Sequence, residues 1–373
     1  MSEYQYYEFR TVNRQLTPAQ RQAVDKLSSH GHTTSTSFSV DYSWGDFKHN
    51  PDDVLARYFD AFFYIANWGS VQLKFRYPKE LIDVRSLEPY CFEEEMVCDY
   101  SIVGNDLILT FEVNSQAGDW GWIEDTTQLS DLLPLYDAIL QGDYRVLYLM
   151  WLRMISDGID YSETVTEETL EPPVPPKLDK LSSALIAFVK LMEIDETLLA
   201  AAAKGAAPAA PASQTDEAAA LAALSPEECI DFLQRLLAGE THLAHKLKQH
   251  MELTAPATGY SSTGTRTAGQ LLAAREAIKQ RQAKAAAAAA EAKRRAEMDA
   301  LAARGDGVWQ EVEALVQDTK TAEYRQAAKL LFRLGELARS QGTTSQFMSR
   351  LDALKAKYKR RTTFMRELKS VQL

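Results

Sequence analysis

The sequence predicts an α+β N-terminal domain followed by a mainly α-helical C-terminal half. Three observations predict it. Apolar and polar residues alternate at period two in several early segments, whereas apolar residues recur at helical spacing beyond the proline-rich stretch at 171–176. Of the 6 Trp, all but Trp309 precede position 152, which places the best-packed core in the first part. The charge is also divided. Residues 1–267 carry 20 Lys and Arg against 40 Asp and Glu and residues 268–373 carry 21 against 12, so the net −11 is −20 followed by +9. Asymmetry of this size points to two modules that meet different partners, or each other.

Tyr4 to Arg10 reads as an aromatic strand. Thr17-Pro18-Ala19-Gln20 starts a helix, with Thr17 capping the free amides and Gln20 completing the capping box. Phe38, Val40, Tyr42 and Trp44 alternate as a half-buried strand. Asn50-Pro51 opens a helix whose apolar residues, from Val54 through Phe59, Phe62 and Phe63 to Ile65, predict the centre of the N-terminal core. Val71 to Tyr77 is another alternating strand, and Met96 to Val103 with Leu107 to Val113 reads as a hairpin around Gly104-Asn105-Asp106. Pro134 seeds a short helix, and Asp143 caps a very apolar one that runs to Ile155. The order implies a mixed or antiparallel sheet with helices on one face.

Glu171-Pro172-Pro173-Val174-Pro175-Pro176 reads as a stiff polyproline boundary. Helices follow at Leu178 to Glu193 and Glu196 to Lys204, and Ser225 with Glu228 forms a second capping box. Thr267 begins a long helix that need not break before Gly305; its roughly 37 residues would span about 55 Å. The run Ala285 to Ala290 favours helix but buries little, and no heptad seam is sustained, so an exposed arm is expected. Amphipathic helices built on Val308, Val312 and Leu315, on Tyr324 to Leu337, and on Phe347 to Tyr358 close the chain as a terminal helical hairpin. The expected division is therefore 1–165, an acidic aromatic-rich α+β domain; 166–204, the Pro-rich boundary and helices; 205–266, linkers and a short helical segment; 267–304, the long helix; and 305–373, a basic helical module.

Several function classes lose support. The Met1-Ser2-Glu3-Tyr4 start has neither the basic residues nor the apolar run of an export signal. The apolar segment between Gly142 and Gly158 falls short of the roughly 20 residues that a bilayer crossing needs, so no membrane partner is expected. Cys91, Cys98 and Cys229 are few, which suits a reduced cytoplasm. Neither G-x-x-x-x-G-K-[ST] nor G-x-G-x-x-G occurs, and no cofactor is implied. His242 and His245 have the i, i+3 spacing of a metal pair but lack a supporting Cys or carboxylate, so no metal site is assigned.

Glu8, Asp46, Asp60 and Asp119 sit among aromatics, near the Trp44-Gly45, Trp68-Gly69 and Trp120-Gly121 pairs. They are the candidate catalytic residues of a pocket that would hold Mg²⁺ or Mn²⁺ in a hydrolase or nuclease. The bland alternative places them at strand and helix ends. The sharper signal is basic. Arg275, Lys279, Lys293, Arg294 and Arg295 on the long helix, with Lys355, Lys357, Lys359, Arg360 and Arg361 in the tail, form a candidate binding surface. Such cations suit a protein partner, nucleic-acid phosphates, or the chain's own acidic part. The oligomeric state is left open.

The wording Tyr4-Gln5-Tyr6-Tyr7-Glu8-Phe9, Trp44-Gly45-Asp46-Phe47, Tyr58-Phe59-Asp60-Ala61-Phe62 with Ala66-Asn67-Trp68-Gly69, and the Glu171 to Pro176 stretch resembles an uncharacterised bacterial protein family. That resemblance carries no activity over. The last module, from Trp309-Gln310-Glu311-Val312 to Leu368, is similar to the C-terminal tail of bacterial SWIM zinc-finger proteins. The zinc signature, C-x-C followed by C-x-H, is missing, so the likeness implies no zinc site. It does imply an accessory role beside a nucleic-acid machine, because those proteins accompany helicase-like ATPases. The resulting expectation is a non-enzymatic, cytoplasmic interaction or adaptor protein, with direct nucleic-acid binding as the alternative and a carboxylate-based hydrolase as the third reading.

Overall fold

The computed structural model describes residues 4–92, 97–114, 129–158, 165–204, 217–251, 265–318 and 320–372. The chain forms two compact units, Met1–Lys279 and Gln280–Leu373. In the first, the strands are β1 Gln5–Arg10, β2 His32–Thr33, β3 Ser37–Tyr42, β4 Ala61–Ala66, β5 Ser70–Pro78, β6 Cys98–Val103 and β7 Asp106–Asn114. They make one antiparallel sheet in the order β2-β3-β1-β4-β5-β7-β6. Helices α1 Pro18–Val24 and α2 Pro51–Tyr58 lie between the early strands. Helices α3 Leu129–Leu140, α4 Arg145–Gly158, α5 Ser183–Leu191, α6 Glu196–Ala203, α7 Glu217–Ala222, α8 Pro226–Leu237 and α9 Leu243–His250 follow the sheet.

Period-two alternation decides what each face of the sheet buries. Val71, Leu73, Phe75 and Tyr77 of β5 and Leu107, Leu109, Phe111 and Val113 of β7 join α3, α4, α5 and α6 in the largest core, with Trp151 and Tyr148 fully buried. Tyr7 and Phe9 of β1, Phe38 and Val40 of β3 and Phe62 of β4 form a second, aromatic core with Val24, Val54 and Leu55 of α1 and α2. Phe9 and Phe62 are register partners with ring centroids 4.7 Å apart. Each fully buried aromatic contributes about 1.5–3 kcal/mol.

The helix expected to run from Pro51 to Ile65 ends at Tyr58. Phe59 is extended (φ −128°, ψ 175°), and Ala61–Ala66 is the central strand β4, buried on both faces. A continuous apolar run has no period to separate buried strand from buried helix. The break falls at Asp60, whose side chain is held by Val12, Arg14 and Arg76. Pro134 lies inside α3, which begins five residues earlier, at Leu129.

The proline-rich stretch is held within the first unit. Glu171 is 1% exposed. Its carboxylate receives Arg266 Nη2 at 2.6 Å and Nε at 2.8 Å, together with the Tyr148 hydroxyl. Tyr90 donates to the Pro173 carbonyl at 2.6 Å, and Leu170 bridges Thr267. There α10 Ala268–Ala303 starts, capped by the reciprocal pair Thr267 and Gln270. Ala268 and Leu271 are buried in the first unit's core, and Lys279 is that unit's last residue.

The second unit holds the rest of α10 with α11 Asp306–Gln317, α12 Thr321–Ser340, α13 Thr344–Lys357 and α14 Thr362–Ser370. Its core is Leu301, Val308, Val312, Val316, Tyr324, Leu331, Phe347, Leu351, Phe364 and Leu368, with neighbours at helical spacing. The run Ala285 to Ala290 is exposed throughout, as alanine's small side chain allows. The terminal helices thus extend the expected hairpin by one, α14, whose Phe364 ring lies 5.7 Å from that of Tyr324 and edge-on to Tyr358.

Candidate functional site

The three described candidate carboxylates do not converge. Glu8 and Tyr7 are consecutive in β1 and face opposite sides of the sheet. Glu8 is buried and accepts from Arg10 Nε (2.7 Å), Tyr6 Oη (3.3 Å) and the main-chain N–H of Leu129 (3.3 Å), the first residue of α3. On the other face, Asp46 Oδ1 accepts from the Tyr7 hydroxyl (2.7 Å) and from the Phe47 N–H (2.8 Å). Gln5 extends this network, accepting from Tyr64 Oη at 2.9 Å and donating to the Gly45 carbonyl at 2.9 Å. Burial, followed by the Asp46 contact, pushes the Tyr7 hydroxyl far above its ordinary range; burial and Asp46 push Tyr64 up to about 12.

Asp60 is 3% exposed. Its carboxylate takes the Val12 N–H (2.9 Å), Arg14 Nε (2.9 Å) and Arg76 Nη2 (2.5 Å), while Arg76 Nη1 also reaches Asp106 at 3.0 Å. This is an internal charge network in which both oxygens of Asp60 are used. Asp119 and the Trp120-Gly121 pair lie outside the described residues. Trp44 projects from the fold at 71% exposure, before Gly45 at φ 120°.

His242 and His245 adjoin α3. The His242 ring stacks on Tyr136 at 5.8 Å between centroids, with Nε2 3.3 Å from the Tyr136 hydroxyl. Burial lowers both imidazoles, against the pull of Asp137, and burial raises Asp137, against the pull of both imidazoles. Among the described residues, no three His, Cys, Asp or Glu group to hold a metal ion. Cys91 and Cys98 are free thiols with sulfurs 3.5 Å apart, and burial pushes the Cys98 thiol up.

The candidate cations fall into three sets. In the first unit, Arg275 and Lys279 reach Asp195 at 3.8 and 2.8 Å. Burial of Asp195 opposes ionisation, but Lys279 and the Leu198 and Thr197 amides at the start of α6 outweigh it and hold the carboxyl below its ordinary range. In the second unit, Arg294 pairs with Glu336 (2.8 Å), Lys357 pairs with Glu313 (2.8 Å), and Arg361 donates to the Val316 carbonyl and to Tyr324 Oη. The remaining five, Lys293, Arg295, Lys355, Lys359 and Arg360, have no acidic partner among the described residues.

Two surfaces escaped the sequence reading, both in the first unit. Leu178, Leu181, Ile186, Val189 and Leu199 line an apolar groove of about 720 Å³ along α5 and α6, with Lys180, Lys190 and Lys204 at its edge. Helix α8 leaves Ile230, Leu233, Leu236 and Leu237 exposed, although Phe232 packs toward α9 through His250. The signal was the i, i+3, i+7 spacing of Ile230, Leu233 and Leu237 beside the capping box at Ser225.

Comparison with known protein families, curated proteins and solved structures finds no match in any of the three. Among the described residues, no helix is long and apolar enough to cross a membrane.

Proposed function

We propose that the protein is a non-enzymatic, cytoplasmic adaptor that binds a protein partner through its helical C-terminal unit. The observation that carries this reading is the contrast between the two candidate sets. The described carboxylates are taken up by internal contacts, whereas Lys293, Arg295, Lys355, Lys359 and Arg360 have no acidic partner among the described residues. Cations left without counter-charges steer an oppositely charged partner and set its register. The resemblance read in the tail's sequence to SWIM zinc-finger proteins is what suggests an accessory place beside a nucleic-acid-associated multiprotein system.

The test is affinity purification from the native host with the wild-type chain and with the triple variant Lys355→Glu, Lys359→Glu, Arg360→Glu. The wild type is expected to retain a defined protein and the variant to lose it. Equal recovery by both would remove the reading. Direct nucleic-acid binding uses the same cations and predicts a gel shift at low salt that weakens steeply as salt rises. A shift with purified duplex or single strands would put that reading first.

A further inference from the structure

Two unfilled surfaces of the first unit complement each other in shape and sign. Helix α8 presents an apolar ridge, with Leu237 88% exposed, flanked by the acidic residues Glu227, Glu228 and Asp231. The α5–α6 groove is lined by three lysines against two carboxylates. It is concave, its apolar wall includes the half-exposed Ile186, and Lys180, Lys190 and Lys204 stand against Asp179 and Glu196 at its edge. A contiguous apolar ridge of this kind marks an interaction surface rather than scattered surface leucines.

Among the described residues, none of α8 lines the groove. Helix α8 packs with α9, and α9 is tied elsewhere. Lys246 pairs with Glu80 at 2.9 Å, and His242, at the start of α9, stacks on Tyr136 of α3. Each chain therefore offers one acidic apolar helix and one lysine-edged apolar groove, both open among the described residues.

We propose that α8 of one copy seats in the α5–α6 groove of a second copy, and that the exchange is reciprocal, giving a closed two-fold dimer. Reciprocal exchange fills both surfaces on both chains and leaves no open end for further growth. The apolar ridge supplies the contact, while Glu227, with Asp231 shared with Arg235, against Lys190 and Lys204 supplies the orientation. This dimer uses neither the second unit nor its cations, so it stands or falls apart from the adaptor reading.

The experiment is sedimentation equilibrium of the full chain, with a helix variant, Leu233→Lys with Leu237→Lys, and a groove variant, Ile186→Glu. All three positions are exposed, so the fold should tolerate the changes, and circular dichroism checks this. The wild type is expected at twice the 41.8 kDa of one chain and each variant alone at the single-chain mass. An equimolar mixture of the two variants is expected to return to the double mass, because the groove variant's intact α8 meets the helix variant's intact groove. A misfolded variant could not complement in this way. A wild-type chain that sediments as a single chain, a dimer that ignores either variant, or a mixture that fails to recover would each overturn the proposal.

Discussion

Asp60 shows how a single side chain organises the strand end and also rules on its own role. Its two oxygens hold Arg14, Arg76 and the Val12 amide, so its charge is met from three directions inside the fold. Asp60→Ala would leave the little-exposed Arg14 without its counter-charge and Arg76 with Asp106 alone. Such a loss costs about 3–5 kcal/mol, against about 1 kcal/mol for an average substitution. Urea unfolding should show the lowered midpoint. Asp60→Asn should cost less, since it keeps the acceptor for Val12. A stability near wild type for Asp60→Ala would free this carboxylate for the chemical role that the sequence suggested. That suggestion could not be settled from sequence, because the partners of Asp60 stand 46, 48 and 16 positions away. The residue type was legible, but the long-range closure that occupies it was not.

At the scale of elements, local chemistry was legible wherever local chemistry decides. Thr17 and Ser225 form their capping boxes, Asn50 caps α2, and the β6–β7 hairpin turns through Gly104 and Asn105. It failed where tertiary burial decides. Phe62 to Ile65 became a strand through pairing with β1 and β5, and the proline-rich stretch was drawn inward by Arg266, some 95 residues after Glu171. The start of α10 carries a sharper test. A Cβ at Gly269 would lie 3.0 Å from Glu167 Cβ and 3.2 Å from its carbonyl oxygen. Alanine in a helix is normally favoured over glycine by about 1 kcal/mol. Here the close backbone approach reverses the sign, and Gly269→Ala should destabilise by about 1–3 kcal/mol. Gly307→Ala, near the start of α11, has nothing within 4 Å and should stabilise. Opposite shifts of the two urea midpoints would verify the packing of α10 on Glu167; parallel shifts would refute it.

At the scale of the whole molecule, each unit has its own core, so two thermal transitions are expected rather than one. Titration tells them apart, because all 6 His precede position 251 and lie in the first unit. Burial depresses His242 and His245 in the fold below their ordinary 6.5. Their contribution to stability is therefore fully present above that value. As pH falls below 6.5 the unfolded chain takes up protons first, and the contribution drains away toward the lower folded values. Asp137 acts in the opposite sense: its folded value is raised above 3.8, so its contribution is present in acid and is lost as pH rises through the raised value. That window opens upward from 3.8, whereas the window of the two histidines opens downward from 6.5. Calorimetry at neutral and mildly acidic pH should then show one transition moving down and the other, carried by the histidine-free unit, nearly unmoved. Replacing both His242 and His245 by Gln should flatten the moving transition. A single transition, or two that shift together, would mean that α10 couples the two cores into one cooperative fold despite its exposed alanine run.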